Sequence, residues 1–252
     1  MLYTTINSPE APAISWQAGA PAPSLGRGEV HVWQVPLRAV DTTALYPLLS
    51  RDERGRAARF RFDRQRNEYV STRGVLRLVL GRYTGQPPSD IRFHYNEFGK
   101  PWLENDPGPG IAFNVSHSEG LALLAVGRNV ELGIDLEQIR CGVADDEGVV
   151  RQTLTAREMT QFSTLPESER HRYFFDCWTR REAYLKACGH GFSTPEPLAG
   201  VGSAHGGASG ADESRTLPFN ILGLPPIDGY AAAIVVYGNM RAISFMRYAA
   251  SS

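Results

Sequence analysis

The segment Gly133-Ile134-Asp135-Leu136-Glu137 sets two carboxylates two residues apart among apolar neighbours. Strand side chains alternate faces, so Leu132, Ile134 and Leu136 can enter a core while Asp135 and Glu137 leave together from the other side. Two such charges at ~6 Å repel by roughly 3 kcal/mol at an effective dielectric of about 20. The pair calls for something positive between its members. Oxygen-only donors suit Mg²⁺ better than zinc, because Mg²⁺ takes one or two carboxylates and completes its shell with water and substrate phosphate. A solvated strand face is the bland alternative.

A second carboxylate source lies in the helical stretch from about 167 to 188. At 100° per residue, Phe174, Trp178, Glu182 and Leu185 share one arc, which places Glu182 inside an apolar stripe where a charge needs a partner. Lys186, one turn on, offers a plain i,i+4 pair worth ~0.2 to 0.5 kcal/mol on an exposed helix. Otherwise Asp135, Glu137 and Glu182 together make a three-carboxylate Mg²⁺ site, with Lys186 beside it for phosphate. Basic residues gather elsewhere. Arg51, Arg54, Arg56, Arg59, Arg61, Arg64 and Arg66 face only Asp52, Glu53 and Asp63, a local positive excess where an anion would dock unless the run is a solvated helix face. Arg73 falls in helical phase with Tyr69, Leu76 and Leu80, and a guanidinium on an apolar stripe implies a buried carboxylate or phosphate. In FNVSHS, 113–118, alternation sends Ser116 and His117 to opposite faces, which weakens a serine nucleophile and base pair. FGKP, 98–101, reads as a tight turn carrying an exposed amine and a rigid proline, a suitable but unspecific platform for a base or phosphate.

These side chains need a frame. Residues 1–28, rich in Pro, Ala, Gly and Ser, read as an irregular extension. The fold should then start near Val30, with a strand at 31–37. Ser50 with Glu53, and Thr155 with Glu158, have the capping-box spacing that starts a helix. A longer helix is expected over 65–83, and the 167–188 helix should stop at Gly189, where glycine takes the left-handed turn. IRFHY and KPWLE read as two strands around a turn, followed by strands near 111–117, 121–126 and 131–138. Residues 200–214 are too small and polar to pack and read as a flexible loop. Two strands, 230–237 and 241–248, should close the chain around Gly238-Asn239. The repeated order of strand, helix and strands predicts two α+β subdomains, at 29–128 and 129–252.

The 252 residues carry 26 Lys and Arg against 27 Asp and Glu, a net charge of −1, so no global field draws the chain to nucleic acid or a membrane surface. The longest apolar runs are too short to span a bilayer, and the N-terminus lacks a signal-peptide pattern, so export by that route is not expected. Three cysteines without a CxxC pair argue against a disulfide framework or structural zinc and fit a reducing cytoplasm.

Taken in order, FGKP, FNVSHS, GIDLE and the W-x-x-R-E-x-x-x-K-x-x-G-x-G-F series beginning at Trp178 resemble the motifs of the 4′-phosphopantetheinyl transferases, in particular the Sfp-type enzymes that activate carrier proteins of peptide and polyketide synthases. The resemblance covers about residues 50–193 and implies a monomeric α+β pseudodimer of two similar subdomains, each an antiparallel sheet packed with helices, with the active site at their interface. It also implies transfer of the phosphopantetheine arm of coenzyme A to a serine of an apo acyl or peptidyl carrier protein, with release of adenosine 3′,5′-bisphosphate. Asp135, Glu137 and Glu182 match the Mg²⁺ ligands, and Glu182 also the proposed general base. Lys186 matches the lysine on the pyrophosphate, Ser116 and His117 the coenzyme A phosphate contacts, and Lys100 and Pro101 the residues beside the adenine. Arg56 and Arg54 fall where the family places basic residues for the 3′-phosphate, while the assignment of Arg73 comes from helical phase alone. Arg181 departs from the commoner lysine before the glutamate. A metal-dependent phosphohydrolase or nuclease could use the same carboxylates. A non-catalytic carrier-binding module is the third reading, and the joint presence of Asp135, Glu137, Glu182 and Lys186 argues against it.

Overall fold

The computed structural model describes residues 15–19, 23–104, 110–189 and 219–249. The expected loop at 200–214 lies outside these residues. In chain order the elements are β1 (Gln17–Ala18), β2 (Glu29–Pro36), α1 (Thr42–Leu45), α2 (Arg51–Ala57), α3 (Asp63–Thr84), β3 (Phe93–Tyr95), β4 (Pro101–Leu103), β5 (Ile111–Ser118), β6 (Leu121–Arg128), β7 (Glu131–Gln138), α4 (Glu147–Thr153), α5 (Ala156–Thr164), α6 (Glu167–Cys188), β8 (Phe219–Gly223), β9 (Tyr230–Tyr237) and β10 (Ala242–Arg247). Both expected capping boxes form, at Ser50–Glu53 and Thr155–Glu158. α6 ends at Gly189 with φ +66°.

The fold is α+β, four layers deep. A five-stranded sheet in the order β1-β10-β2-β6-β5 and a three-stranded antiparallel sheet in the order β7-β9-β8 stack face to face. Val30, Val32, Leu123 and Ala125 of the first meet Leu132, Ile134, Leu136 and Ile234 of the second in one apolar layer. On its outer face the first sheet packs Trp33, Phe113 and Leu124 against Leu76 and Leu80 of α3. On the outer face of the second, Ala233 and Val235 pack against Ala183 and Ala187 of α6. β3 and β4 form a separate hairpin.

Three expectations change. The strands flanking Gly238-Asn239 do not pair with each other: β9 lies between β7 and β8, whereas β10 crosses to the first sheet and runs parallel to β1 and β2. That sheet is therefore mixed rather than wholly antiparallel. Of the N-terminal extension, Gln17 and Ala18 add an edge to β10, and Trp16 meets the Phe245 ring edge-on. The apolar face of α6 is also turned by about one residue from the expected arc. Its most buried positions include Phe175, Thr179, Ala183 and Ala187, while Trp178, Glu182 and Leu185 are half-buried. Small residues allow backbone-level contact that a reading weighted by large side chains misses. Gly133 of β7 completes this contact, since a Cβ there would stand 2.2 Å from the Ala183 carbonyl oxygen and 2.3 Å from the Ala187 amide nitrogen. Gly133→Ala is expected to push α6 off the sheet and cost about 1–3 kcal/mol, read as a lowered denaturation midpoint. An unchanged midpoint would show that the helix has room to move.

Candidate active site

α6 crosses β7 on Gly133, and this crossing brings Lys186 over Asp135. The Lys186 ammonium, which an i,i+4 pair would give to Glu182, instead donates to Asp135 Oδ1 at 2.6 Å and to Ser116 Oγ at 3.0 Å. Asp135 is 3% exposed, and its Oδ2 is buried without a hydrogen-bond partner. Glu137, next on the same face, accepts from Ser118 Oγ at 3.1 Å. Burial, and then the charge of Asp135, raise the Glu137 carboxyl above the ordinary glutamate range. Glu182 is raised in the same way, first by burial and then by Asp135, with Lys186 pulling against the shift and Glu137 adding to it. The three carboxylates therefore share one electrostatic neighbourhood with a single ammonium among them.

Among the described residues no group of three or more His, Cys, Asp and Glu side chains is already disposed to hold a metal ion. The donor set nonetheless fits a hard cation. It is all oxygen, it includes one orphaned buried carboxylate oxygen, and the charge of Asp135 raises the pKa of both Glu137 and Glu182, a repulsion that a divalent ion removes.

Next to this cluster lies a cavity of about 410 Å³ between α3, the β3–β4 hairpin, β5 and α6. Arg56, Arg73, Lys100, His117, Glu182 and Lys186 line it, as does Pro101. Arg54, Ser116, Asp135 and Glu137 are not among its lining residues. The walls thus carry four permanent cations, a fit for a ligand with several phosphate charges. His117 borders the cavity with its ring reachable by solvent. Burial by the surrounding protein lowers its pKa, Glu68 pulls against the shift and Lys186 adds to it, which favours the neutral imidazole.

The arginines are held individually. Arg73 is 8% exposed, and the buried carboxylate that its helical phase required is Glu53 of α2, at 2.7 Å from Nε. Arg77 takes the other oxygen, at 2.7 Å, and donates to the carbonyls of Pro88 and Ile91. Glu53 was legible only as a helix cap, and it is an anchor as well. The signal was Arg77, four residues after Arg73 on the same buried helix and equally in need of an acceptor. Arg73 also donates to Tyr95 Oη at 2.8 Å, which ties the hairpin to α3. Arg56 lies over the Tyr69 ring, whereas Arg64 is committed to Glu68 and Glu119, and Arg66 to Asp63.

The FGKP turn forms as expected: Asn96 Oδ1 accepts from the Phe98 and Lys100 amides, and Gly99 has φ +83°. Its amine is not exposed, however. Lys100 Nζ donates to the Ala187 carbonyl at 2.8 Å and to Glu131 at 3.0 Å, a cation at the carbonyl end of α6. Asn96 donates to the Gly189 carbonyl at 2.8 Å, so the hairpin clamps the end of the helix that carries Glu182 and Lys186.

Two stacked α+β units carry a cationic cavity beside a carboxylate cluster, an arrangement suited to a phosphate-rich ligand. Two family patterns match the chain, the N-terminal part of 4′-phosphopantetheinyl transferases over residues 33–129 and the 4′-phosphopantetheinyl transferase superfamily over residues 131–234. The chain is 36% identical over 228 residues to the 4′-phosphopantetheinyl transferase HetI of Nostoc sp., covering 89% of this chain and 94% of that protein. It is 25% identical over 160 residues to Sfp of Bacillus subtilis (64% and 69%), and 32% over 136 residues to gsp of Aneurinibacillus migulanus (50% and 54%). The chain belongs to the 4′-phosphopantetheinyl transferase superfamily and is an enzyme of that kind.

Proposed function

We propose that this enzyme transfers the 4′-phosphopantetheine arm of coenzyme A to a serine hydroxyl of an apo acyl or peptidyl carrier protein, with Mg²⁺, and releases adenosine 3′,5′-bisphosphate. The observation that supports this reading is the meeting of Asp135, Glu137, Glu182 and Lys186 in one cluster whose last two members also line a cavity with Arg56, Arg73, Lys100 and His117. Asp135, Glu137 and Glu182 would hold the ion, which when bound neutralises charge on the departing bisphosphate.

The protein's own groups do the rest. Lys186 uses two of its three N–H donors on Asp135 and Ser116, leaving one for a phosphate oxygen in the cavity. Arg56 and Arg73, which line the cavity, supply fixed positive charge for the 3′-phosphate, and Arg54, two residues before Arg56 on α2, adds to the positive charge of that helix. Lys100 and Pro101 form the floor beside the adenine, and His117 donates to a phosphate from its neutral ring. Glu182 borders the cavity with a raised pKa, which brings it nearer the operating pH and makes it the better acceptor for the serine proton, directly or through water.

The test is incubation with coenzyme A, Mg²⁺ and an apo carrier protein, followed by intact-mass measurement. A carrier heavier by one phosphopantetheine arm, lost on chelation, is expected. Phosphate release without a mass gain would mark a hydrolase instead. Partner choice among fatty-acid, polyketide and peptide carriers is read out by the same assay.

A further inference from the structure

β5 and β7 are the facing edge strands of the two sheets, yet no backbone ladder joins them. Side chains take its place. Asn114 Oδ1 accepts from the Ile134 amide at 3.0 Å, Ser116 Oγ from the Leu136 amide at 3.2 Å, and Ser118 Oγ from the Gln138 amide at 3.1 Å. The constant offset of twenty residues means that the strands run parallel in a fixed register, with the inner face of β5 set against the free edge of β7.

The two serines do more than close that edge. A backbone amide can only donate, so each hydroxyl accepts from β7 and keeps its single proton for another acceptor. Ser116 gives it to Asp135 Oδ1 at 3.0 Å, and Ser118 gives it to Glu137 Oε2 at 3.1 Å. Each serine thus grips one β7 amide and the carboxylate immediately before it, and the pattern repeats two residues on. Lys186 fills the remaining lone pair of Ser116, so this hydroxyl, buried to 7% exposure, has no proton left for a ligand phosphate.

We infer that Ser116 and Ser118 are positioning residues through which the first half of the molecule orients the two β7 carboxylates, rather than contacts to coenzyme A. This rests on the reading of Asp135 and Glu137 as metal ligands, whose orienting partners generally matter almost as much as the ligands themselves.

The test compares wild type, the double variant Ser116→Ala/Ser118→Ala and the hydroxyl-retaining Ser116→Thr/Ser118→Thr. In the alanine variant the Mg²⁺ concentration for half-maximal transfer is expected to rise about 10–100-fold and kcat to fall, with KM for coenzyme A little changed. The threonine variant should recover most of this. Independently of catalysis, amide exchange at Leu136 and Gln138 should accelerate in the alanine variant while Ile134, held by the intact Asn114, keeps its protection. Titration of Mn²⁺ without coenzyme A should show weakened binding. A raised KM for coenzyme A with an unchanged metal requirement would overturn the inference, as would unaltered Leu136 and Gln138 exchange or a threonine variant as impaired as the alanine one. If wild type transferred no phosphopantetheine, the functional reading would fail, while the exchange and Mn²⁺ arms would still judge the serines.

Discussion

Glu182→Gln is expected to lower transfer to a carrier protein by about 10²–10⁴-fold while leaving the fold at least as stable as wild type. Burial and the charges of Asp135 and Glu137 both disfavour the Glu182 carboxylate, so an amide of the same shape removes a repulsion as it removes the base. Loss of activity together with an unchanged or higher denaturation midpoint separates a functional role from a structural one. The measurement is single-turnover transfer at saturating coenzyme A and Mg²⁺, alongside chemical denaturation. Turnover near the wild-type rate would remove Glu182 from both of its proposed roles, and a collapsed midpoint would show that it was a packing element.

Glu53→Gln should have the largest effect on stability. Glu53 binds two guanidiniums, one on each oxygen, and the side chains of Arg73 and Arg77 are 10% and 1% exposed. Removing the single anion leaves two cations with too few acceptors, and breaking such a buried cluster costs about 3–5 kcal/mol. Burial works against the charge on Glu53, but Arg73 most strongly, then the Ser50 amide and Arg77, outweigh it and hold its pKa below the ordinary glutamate value. A depressed pKa in the folded state means stabilisation that is complete above the unfolded value and is lost as the pH falls through the folded one. The difference in unfolding free energy between wild type and Glu53→Gln should therefore be greatest near neutral pH and shrink in acid. A difference independent of pH down to the acid limb would mean that the ion pairs contribute little. Because Arg73 also lines the cavity, the variant should raise KM for coenzyme A.

Periodicity and punctuation carried much of the secondary structure. Alternation located β5, β6 and β7, Gly189 ended α6, and both capping boxes formed where Ser50 and Thr155 stand. Pairing was less visible, because a Gly-Asn turn states that the chain bends and not which strand lies alongside afterwards. β10 contributes Met246 and Tyr248 just beyond it to the core under α3, a destination set by distant residues rather than by the turn. In the candidate site, Glu182 and Lys186 were legible because their charges stand out on a helix. The Asp135–Lys186 contact was not, since it depends on Gly133 admitting the helix backbone, and neither was Glu53, whose local capping role already accounted for it. Ser116 shows the limit of motif matching. A motif fixes which residue stands at a position, but the acceptors around the hydroxyl decide what it can still bind.

The crossing of β10 into the middle of the first sheet means that the two halves are not separable beads. Dividing the polypeptide between β6 and β7 would leave the first piece without the strand that sits between β1 and β2, and the second piece would carry that strand with no sheet of its own to join. During synthesis the outer edge of β2 therefore waits for a partner made long after it, open until then to foreign strands. The same interleaving welds the finished molecule, so that relative motion of the halves has to bend a shared sheet rather than swing about a linker.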